Sequence, residues 1–267
     1  IHNLGEKAGH VRSPASRNLI DVPHSGQLAE ALPRDSVIDL TDKLSADGSL
    51  KWDVPAGHWT ILRLGHTTTG ARNHPVTTMK KHSLECDKLS RSVATTHYNA
   101  YTGQLVKDVG SLAGETLDHV LIDSWEAGTQ NWSEELIEQF KTYRGYDPTP
   151  FLPVTQGFIV DSEELSERFL WDFRRTVADL HADIHFGTMT ELANADGLEL
   201  WSEVYNGAIF DTFQSASRVD VPMTEFWFNR GQLRRGFAKH AASVAHASGE
   251  LIVPEEAFTA EPDSAGW

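Results

Sequence analysis

The stretch Leu117 to Trp132, LDHVLIDSWEAGTQNW, decides the fold. The run His119-Val120-Leu121-Ile122 has strand character and stops abruptly at Asp123, Ser124, Trp125 and Glu126. A helical pattern follows from about Asn131. A buried parallel strand that delivers carboxylates and an aromatic at its C-terminal end is how α/β barrels build active sites. The layout recurs downstream, each time with a Glu, in LELWSEVY (198–205), VDVPMTEFWF (219–228) and LIVPEEAF (251–258).

Between these strands the periodicity is helical. A helix is expected over 132–143, closed by Arg144-Gly145, and another over 231–247. A long one is expected from Ser162 to Ala195, with capping and first-turn acids in DSEELSE and a stop at Asp196-Gly197. Strands alternating with helices imply parallel β/α units with right-handed crossovers. The expected fold class is therefore α/β, with 81–267 forming part of a (β/α)8 TIM-type barrel.

Upstream the texture changes. Residues 1–35 are polar and irregular, with one short helix expected near Gln27–Leu32. Residues 36–80 read as a small β-rich element, because SVIDLTDKL, SLKWDV and HWTILRLGHTT alternate between turn signals. Leu84–Tyr101 has helical spacing.

Composition narrows the function. The 267 residues carry 38 acidic against 23 basic side chains, a formal charge of −15. Such a surface repels phosphate backbones, so a nucleic-acid partner is disfavoured. No apolar run approaches a membrane span. The single cysteine, Cys86, excludes an intrachain disulfide and argues against a cysteine zinc site. The chain opens at Ile1 without a leader, which points to a piece of a longer polypeptide. A periplasmic or extracellular location is favoured over a cytoplasmic one. Eight tryptophans supply faces that stack on sugar rings as readily as they fill cores.

If the strands are neighbours in a barrel, their acidic ends meet at one mouth: Asp123 and Glu126, then Glu203, Glu225 and Glu256. Like charges gathered there spread their pKa values, so that an acid and a base coexist at neutral pH. Glycoside hydrolysis needs that pair, one carboxylic acid to protonate the leaving oxygen and one carboxylate to activate water or attack. The last strand is the third after the DSWE strand, which sets Glu126 and Glu256 across the mouth. Glu255 and Glu261 compete with Glu256. Any one such acid has a structural reading too, as a helix cap or a partner for a rim arginine. Trp125, Trp201 and Trp227, in register with the acids, favour a site.

Other patterns are weaker. His181 and His185 stand one helical turn apart but lack the Glu of a metalloprotease helix, and packing histidines explain them as well. Thr67-Thr68-Thr69-Gly70 lacks the rest of a phosphate loop, and neither Ser124 nor Ser202 sits in a GxSxG elbow. Glu85 and Asp87 in LECDK read as first-turn compensation of a helix dipole, with a site role as the alternative.

Six blocks together resemble glycoside hydrolase family 106, the α-L-rhamnosidases. They are WTILRLGHTTTG (59–70), LECDKLSR (84–91), DSWEAGTQNW (123–132), RGYDP (144–148), RFLWDFRRTVADL (168–180) and EAFT (256–259). The resemblance implies a (β/α)8 catalytic barrel flanked by β-domains in a longer chain. It also implies an inverting mechanism with Glu126 as general acid, Glu256 as general base and Asp123 assisting. Trp125 and Trp132 would shape the sugar pocket, with Glu203, Glu225 and Trp227 as further substrate contacts. A calcium ion at the sugar hydroxyls is implied, for which carboxylates such as Glu203 and Glu225 are suitable hard oxygen ligands without being assigned, and the partner would be a rhamnose-containing glycan or glycoside. A non-catalytic carbohydrate-binding module, an inactive fragment of a larger glycosidase and a retaining glycosidase remain the alternatives.

Overall fold

The computed structural model describes residues 30–72, 84–125, 127–204, 210–229, 232–233, 236–249 and 253–259. In 226–229, 232–233, 236–237 and 253–259 the description is of backbone alone. The helices are α1 (Arg91–Ala100), α2 (Thr102–Val109), α3 (Leu136–Arg144), α4 (Glu163–Leu180), α5 (Gly187–Ala195), α6 (Thr212–Ala216) and α7 (Gly236–Ser248). The strands are β1 (His119–Ile122), β2 (Glu199–Ser202), β3 (Val221–Asn229), β4 (Gln232–Leu233) and β5 (Val253–Thr259). A π-helical turn, His181–Phe186, joins α4 to α5 without a break in the helix. The described residues divide into two compact units, one holding those of 30–67 and 134–176, the other those of 68–133 and from 177 onward.

The first unit is built on aromatic contacts. Phe140 of α3 meets Tyr146 at 5.0 Å and Phe169 of α4 at 6.0 Å, and Phe151 stacks on Phe169 at 5.6 Å. Gly145 stops α3 in the left-handed region (φ 79°), its N–H returning to the Lys141 carbonyl, as the Arg-Gly pair predicts. Helix α4 starts where DSEELSE predicts, with Ser162 Oγ accepting from Leu165 N at 3.1 Å.

The alternating runs of 36–70 do not build a ladder among the described residues. That stretch holds a 3-10 turn at Thr41–Lys43 and a single isolated bridge between Leu44 and Leu50. Alternation makes a strand only when a neighbour accepts its backbone groups. Here Ile38, Val54, Ile61 and Leu64 stay exposed.

The second unit carries the sheet. β1 pairs with β2, β2 with β3 and β3 with β5, all parallel, while β4 forms a short antiparallel hairpin on β3. The parallel strands thus neighbour one another in sequence order, as successive β/α units require. Alternation divides the faces of β1 and β2. Val120, Ile122 and Leu200 turn into a core of Tyr98, Phe186, Met189, Ala193, Leu198, Val219 and Val244. Leu121 and Trp201, paired across the ladder, turn the other way, and Leu121 is 44% exposed. The fold is therefore mixed helix and parallel sheet, with one face of the first two strands covered by helices.

Sequence periodicity misses several elements: α2, α6 and the 3-10 segment Thr149–Gln156. They are shorter than the window of roughly 11–18 residues over which a helical period is read. The helix expected from Leu84 begins at Arg91, because residues 84–90 are spent on a turn with another task. Of the helix expected at Gln27–Leu32, residues 27–29 lie outside the described residues, and 30–32 are not helical, with Leu32 bridging to Val160 instead.

Candidate active site at the ends of the parallel strands

The register fixes which acids become neighbours. Ile122 pairs with Ser202 and Ser202 with Pro222, so Asp123 and Glu203 follow side by side at the ends of β1 and β2. The Glu203 N–H donates to the Ile122 carbonyl at 3.0 Å, extending the ladder by one rung. Asp123 is exposed, and its Oδ1 accepts from Ser124 N at 2.7 Å. Glu203 is only 1% exposed.

β3 and β5 run further in the same direction. Met223 pairs with Val253 and Glu225 with Glu256, with a register shift between Thr224 and Glu225. Glu255 is the extra residue of that bulge, so Glu256 is the one that stands opposite Glu225. At about 3.3 Å per residue, Glu225 lies roughly 7 Å beyond the level of Asp123 and Glu203. Trp227 pairs with Phe258 in the same ladder. Glu126 and Glu261 lie outside the described residues, and for Glu256 and Trp227 the backbone alone is described.

Trp125 is not an open sugar platform. It is 7% exposed, and its indole N–H donates to the Gly128 carbonyl at 2.6 Å. Its ring meets His181, His185 and Phe210 edge-on at 5.1, 5.7 and 5.4 Å, and the Lys88 ammonium sits 5.5 Å from its centroid. The two histidines are buried packing partners. His181 Nδ1 donates to the Val177 carbonyl at 2.8 Å, which leaves Nε2 as the bare ring nitrogen. Burial first, and then the charge of Lys88, push His181 down to about 4. Burial holds His185 well below its ordinary value as well, aided by Lys88, His181 and His97. Both rings are therefore neutral near pH 7. They sit on a π turn, a rare departure from α-helix that is frequent at functional sites.

The LECDK segment belongs to this region, and its acids do not compensate a helix dipole. Glu85 pairs with Lys88 at 2.5 Å, both largely buried. Asp87 Oδ1 accepts from Leu89 N at 2.9 Å and from the Gln130 side-chain amide. Gln130 Oε1 accepts from Lys88 N at 3.0 Å, and Gln130 Nε2 also donates to the Trp132 carbonyl at 3.2 Å. Trp132 itself is half-buried. The 85–89 turn and the 125–132 loop, remote in sequence, thus form one hydrogen-bonded body. No spacing rule links these two blocks, so sequence reasoning missed Gln130 and Lys88.

Parallel strands whose ends carry acids, beside a buried tryptophan, are one arrangement on which glycoside hydrolases are built. The sequence pattern of the α-L-rhamnosidase family, glycoside hydrolase family 106, matches residues 1–267, and the chain belongs to that family. The chain is similar to a solved rhamnosidase from Novosphingobium sp. PP1Y, with 38% identity and a TM-score of 0.79, over 88% of this chain and 24% of that one. It is also 40% identical over 228 residues to a Formosa agariphila protein named "Putative beta-glucuronidase". That match covers 85% of this chain and 19% of the relative. The chain thus spans a quarter or less of the proteins it resembles. Among the described residues no helix is long and apolar enough to cross a membrane.

Proposed function

We propose that this chain is part of the catalytic barrel of a longer polypeptide that removes terminal α-L-rhamnosyl groups from glycans or glycosides. The observation that carries the reading is the family match along the whole chain. Parallel strands in sequence order, with Asp123 beside Glu203 and Glu225 beside Glu256 in register, support the barrel. Glu126 is the general acid and Glu256 the general base. Water activated by Glu256 attacks the anomeric carbon from one face while Glu126 protonates the departing oxygen on the other, inverting the configuration. Asp123 adds charge near the acid, and Trp125 and Trp132 fix the loop that bears it. Glu225 and Trp227 contact the sugar, and Glu203, 1% exposed in this chain, forms the floor of the site beneath it. An extracellular or periplasmic enzyme suits such a substrate.

Calcium enters this reading from the family resemblance alone. Among the described residues no group of three His, Cys, Asp or Glu side chains gathers to hold an ion, so no ligand is assigned and no step runs through one.

The test uses a polypeptide of the relatives' length. Glu126→Gln and Glu256→Gln are each expected to lower release of 4-nitrophenol from the aryl α-L-rhamnoside by at least about 100-fold, with the thermal transition retained. Retained activity in either variant removes that residue from the pair. An axial-to-equatorial change of the first sugar product by NMR supports inversion, and retention of configuration makes Glu256 a nucleophile, with carboxyl groups near 5 Å rather than roughly 6.5–9.5 Å apart. Release from an aryl β-glucuronide instead assigns the substrate suggested by the Formosa relative's name.

A further inference from the structure

The segment from Trp125 to Trp132 is hydrogen-bonded to the 85–89 turn through the side-chain amide of Gln130. Within the loop, the Trp125 indole N–H closes onto the Gly128 carbonyl, a tie that spans the Glu126 position. Gly128 takes a left-handed conformation (φ 75°), which a side chain would oppose. Beyond it, the amide of Gln130 fastens this short hairpin to the 85–89 turn. Its oxygen accepts from Lys88 N, and its nitrogen donates to Asp87 Oδ1 and to the Trp132 carbonyl. Both ends of the amide are chemically specified, because an N–H needs the oxygen and a carboxylate needs the NH2 group. Asp87 is itself fixed by Leu89 N, and Leu89 is fully buried. From the same turn, the ammonium of Lys88 lies over the Trp125 ring while bonded to Glu85.

We infer that Gln130 is a positioning residue for the general acid: its amide, read by Asp87 and Lys88, sets the loop that carries Glu126. The inference rests on the role proposed for Glu126. A displacement of about 1 Å at a reacting group is enough to cost on the order of 100-fold in rate. A latch of neutral and charge-assisted hydrogen bonds is a means of holding that tolerance.

The chemistry supplies a discriminating test. A general acid matters most when the leaving group is a poor one, and little when the departing phenolate is already stable. In the polypeptide of the relatives' length, Gln130→Glu places a carboxylate against Asp87. It is expected to lower kcat roughly 10- to 100-fold on the phenyl glycoside and less than about threefold on the dinitrophenyl glycoside, with KM little changed. Adding Asp87→Asn reverses the polarity of the bond, since the new amide NH2 donates to the new carboxylate. Because the Asn oxygen must stay on Leu89 N and the Trp132 carbonyl loses the Gln130 donor, this double variant is expected to recover part of the lost kcat on the phenyl substrate, about threefold or more over Gln130→Glu. If Gln130→Glu fails to fold, Gln130→Met and the double variant carry the same comparison.

Equal losses on both leaving groups, full activity in the single variants, or no rescue in a folded double variant overturn the inference. Wild-type protein that cleaves only aryl β-glucuronides refutes the rhamnoside reading, and the leaving-group series on that sugar then decides the latch separately. Wild-type protein that cleaves neither aryl glycoside overturns both.

Discussion

At the scale of single residues, two buried histidines, His181 and His185, tie stability to pH. His181 is fully buried against Trp125, bonded to the Val177 carbonyl and held down to about 4. An unfolded histidine takes its proton near pH 6.5. Between those values the unfolded chain binds more protons than the folded one, so stability falls as the solution is acidified. The full difference amounts to about 3 kcal/mol, and it is gone once the pH is below about 4. His185 adds to the slope with the same sign. His181→Phe, which fills a similar volume without titrating, is expected to flatten the dependence of the urea midpoint on pH between about 6.5 and 4. An unchanged slope removes His181 from the account. The sequence shows why this group was hard to place. Two histidines one turn apart are legible as a pair, but whether they meet water, a metal or a tryptophan is set by tertiary packing. Trp125 has the same history, since a tryptophan beside candidate acids suits a sugar and a core equally well, and burial decides. Gln130 carried no signal, because its partners lie in a block some forty positions upstream.

At the scale of elements, helices with caps and strands with branched runs were readable, and segments whose structure depends on a distant partner were not. The continuous helix from Glu163 to Ala195 matches the expected Ser162–Ala195, because its first-turn acids and its Asp-Gly stop are local signals. The π turn inside it has no such signal. The short stretch 159–161 illustrates the dependence on partners. Leu32 N donates to the Ile159 carbonyl and Asp161 N to the Leu32 carbonyl, each at 2.8 Å. Val160, lying between them, is completed by Ser166 of α4, whose hydroxyl accepts from Val160 N at 2.9 Å and donates to Val160 O at 3.1 Å. Ser166 is fully buried, so its hydroxyl has no water to fall back on. Ser166→Ala leaves the Val160 N–H unpaired in the interior and is expected to cost about 1–3 kcal/mol. Ser166→Thr, which keeps the hydroxyl, is the control for that loss, read from the urea midpoint. A cost below about 0.5 kcal/mol for the alanine variant shows that the bond is replaceable.

At the scale of the whole molecule, the sheet raises a question about its second face. Parallel sheets are covered on both sides, because crossover helices occupy one face and a barrel interior or further helices the other. Here Val120, Ile122 and Leu200 are covered by helices, whereas Leu121 is 44% exposed beside Trp201, whose ring carries His119 stacked at 3.9 Å. The solved rhamnosidase is about four times longer than its match to this chain, which covers 24% of it. If the barrel proposed above closes in a polypeptide of that length, the face bearing Leu121 turns into its interior. Leu121→Asp separates the two situations. In the 267-residue chain the new carboxylate meets water, so the urea midpoint is expected to move by no more than about 0.5 kcal/mol. In the longer polypeptide the same carboxylate is enclosed, and a cost of about 3 kcal/mol or more is expected, seen as a lower midpoint or loss of folded protein. Leu121→Met, apolar and of similar volume, is expected to be tolerated in both. A small and equal effect of the aspartate in both proteins rules out burial of this face, and with it the closed barrel.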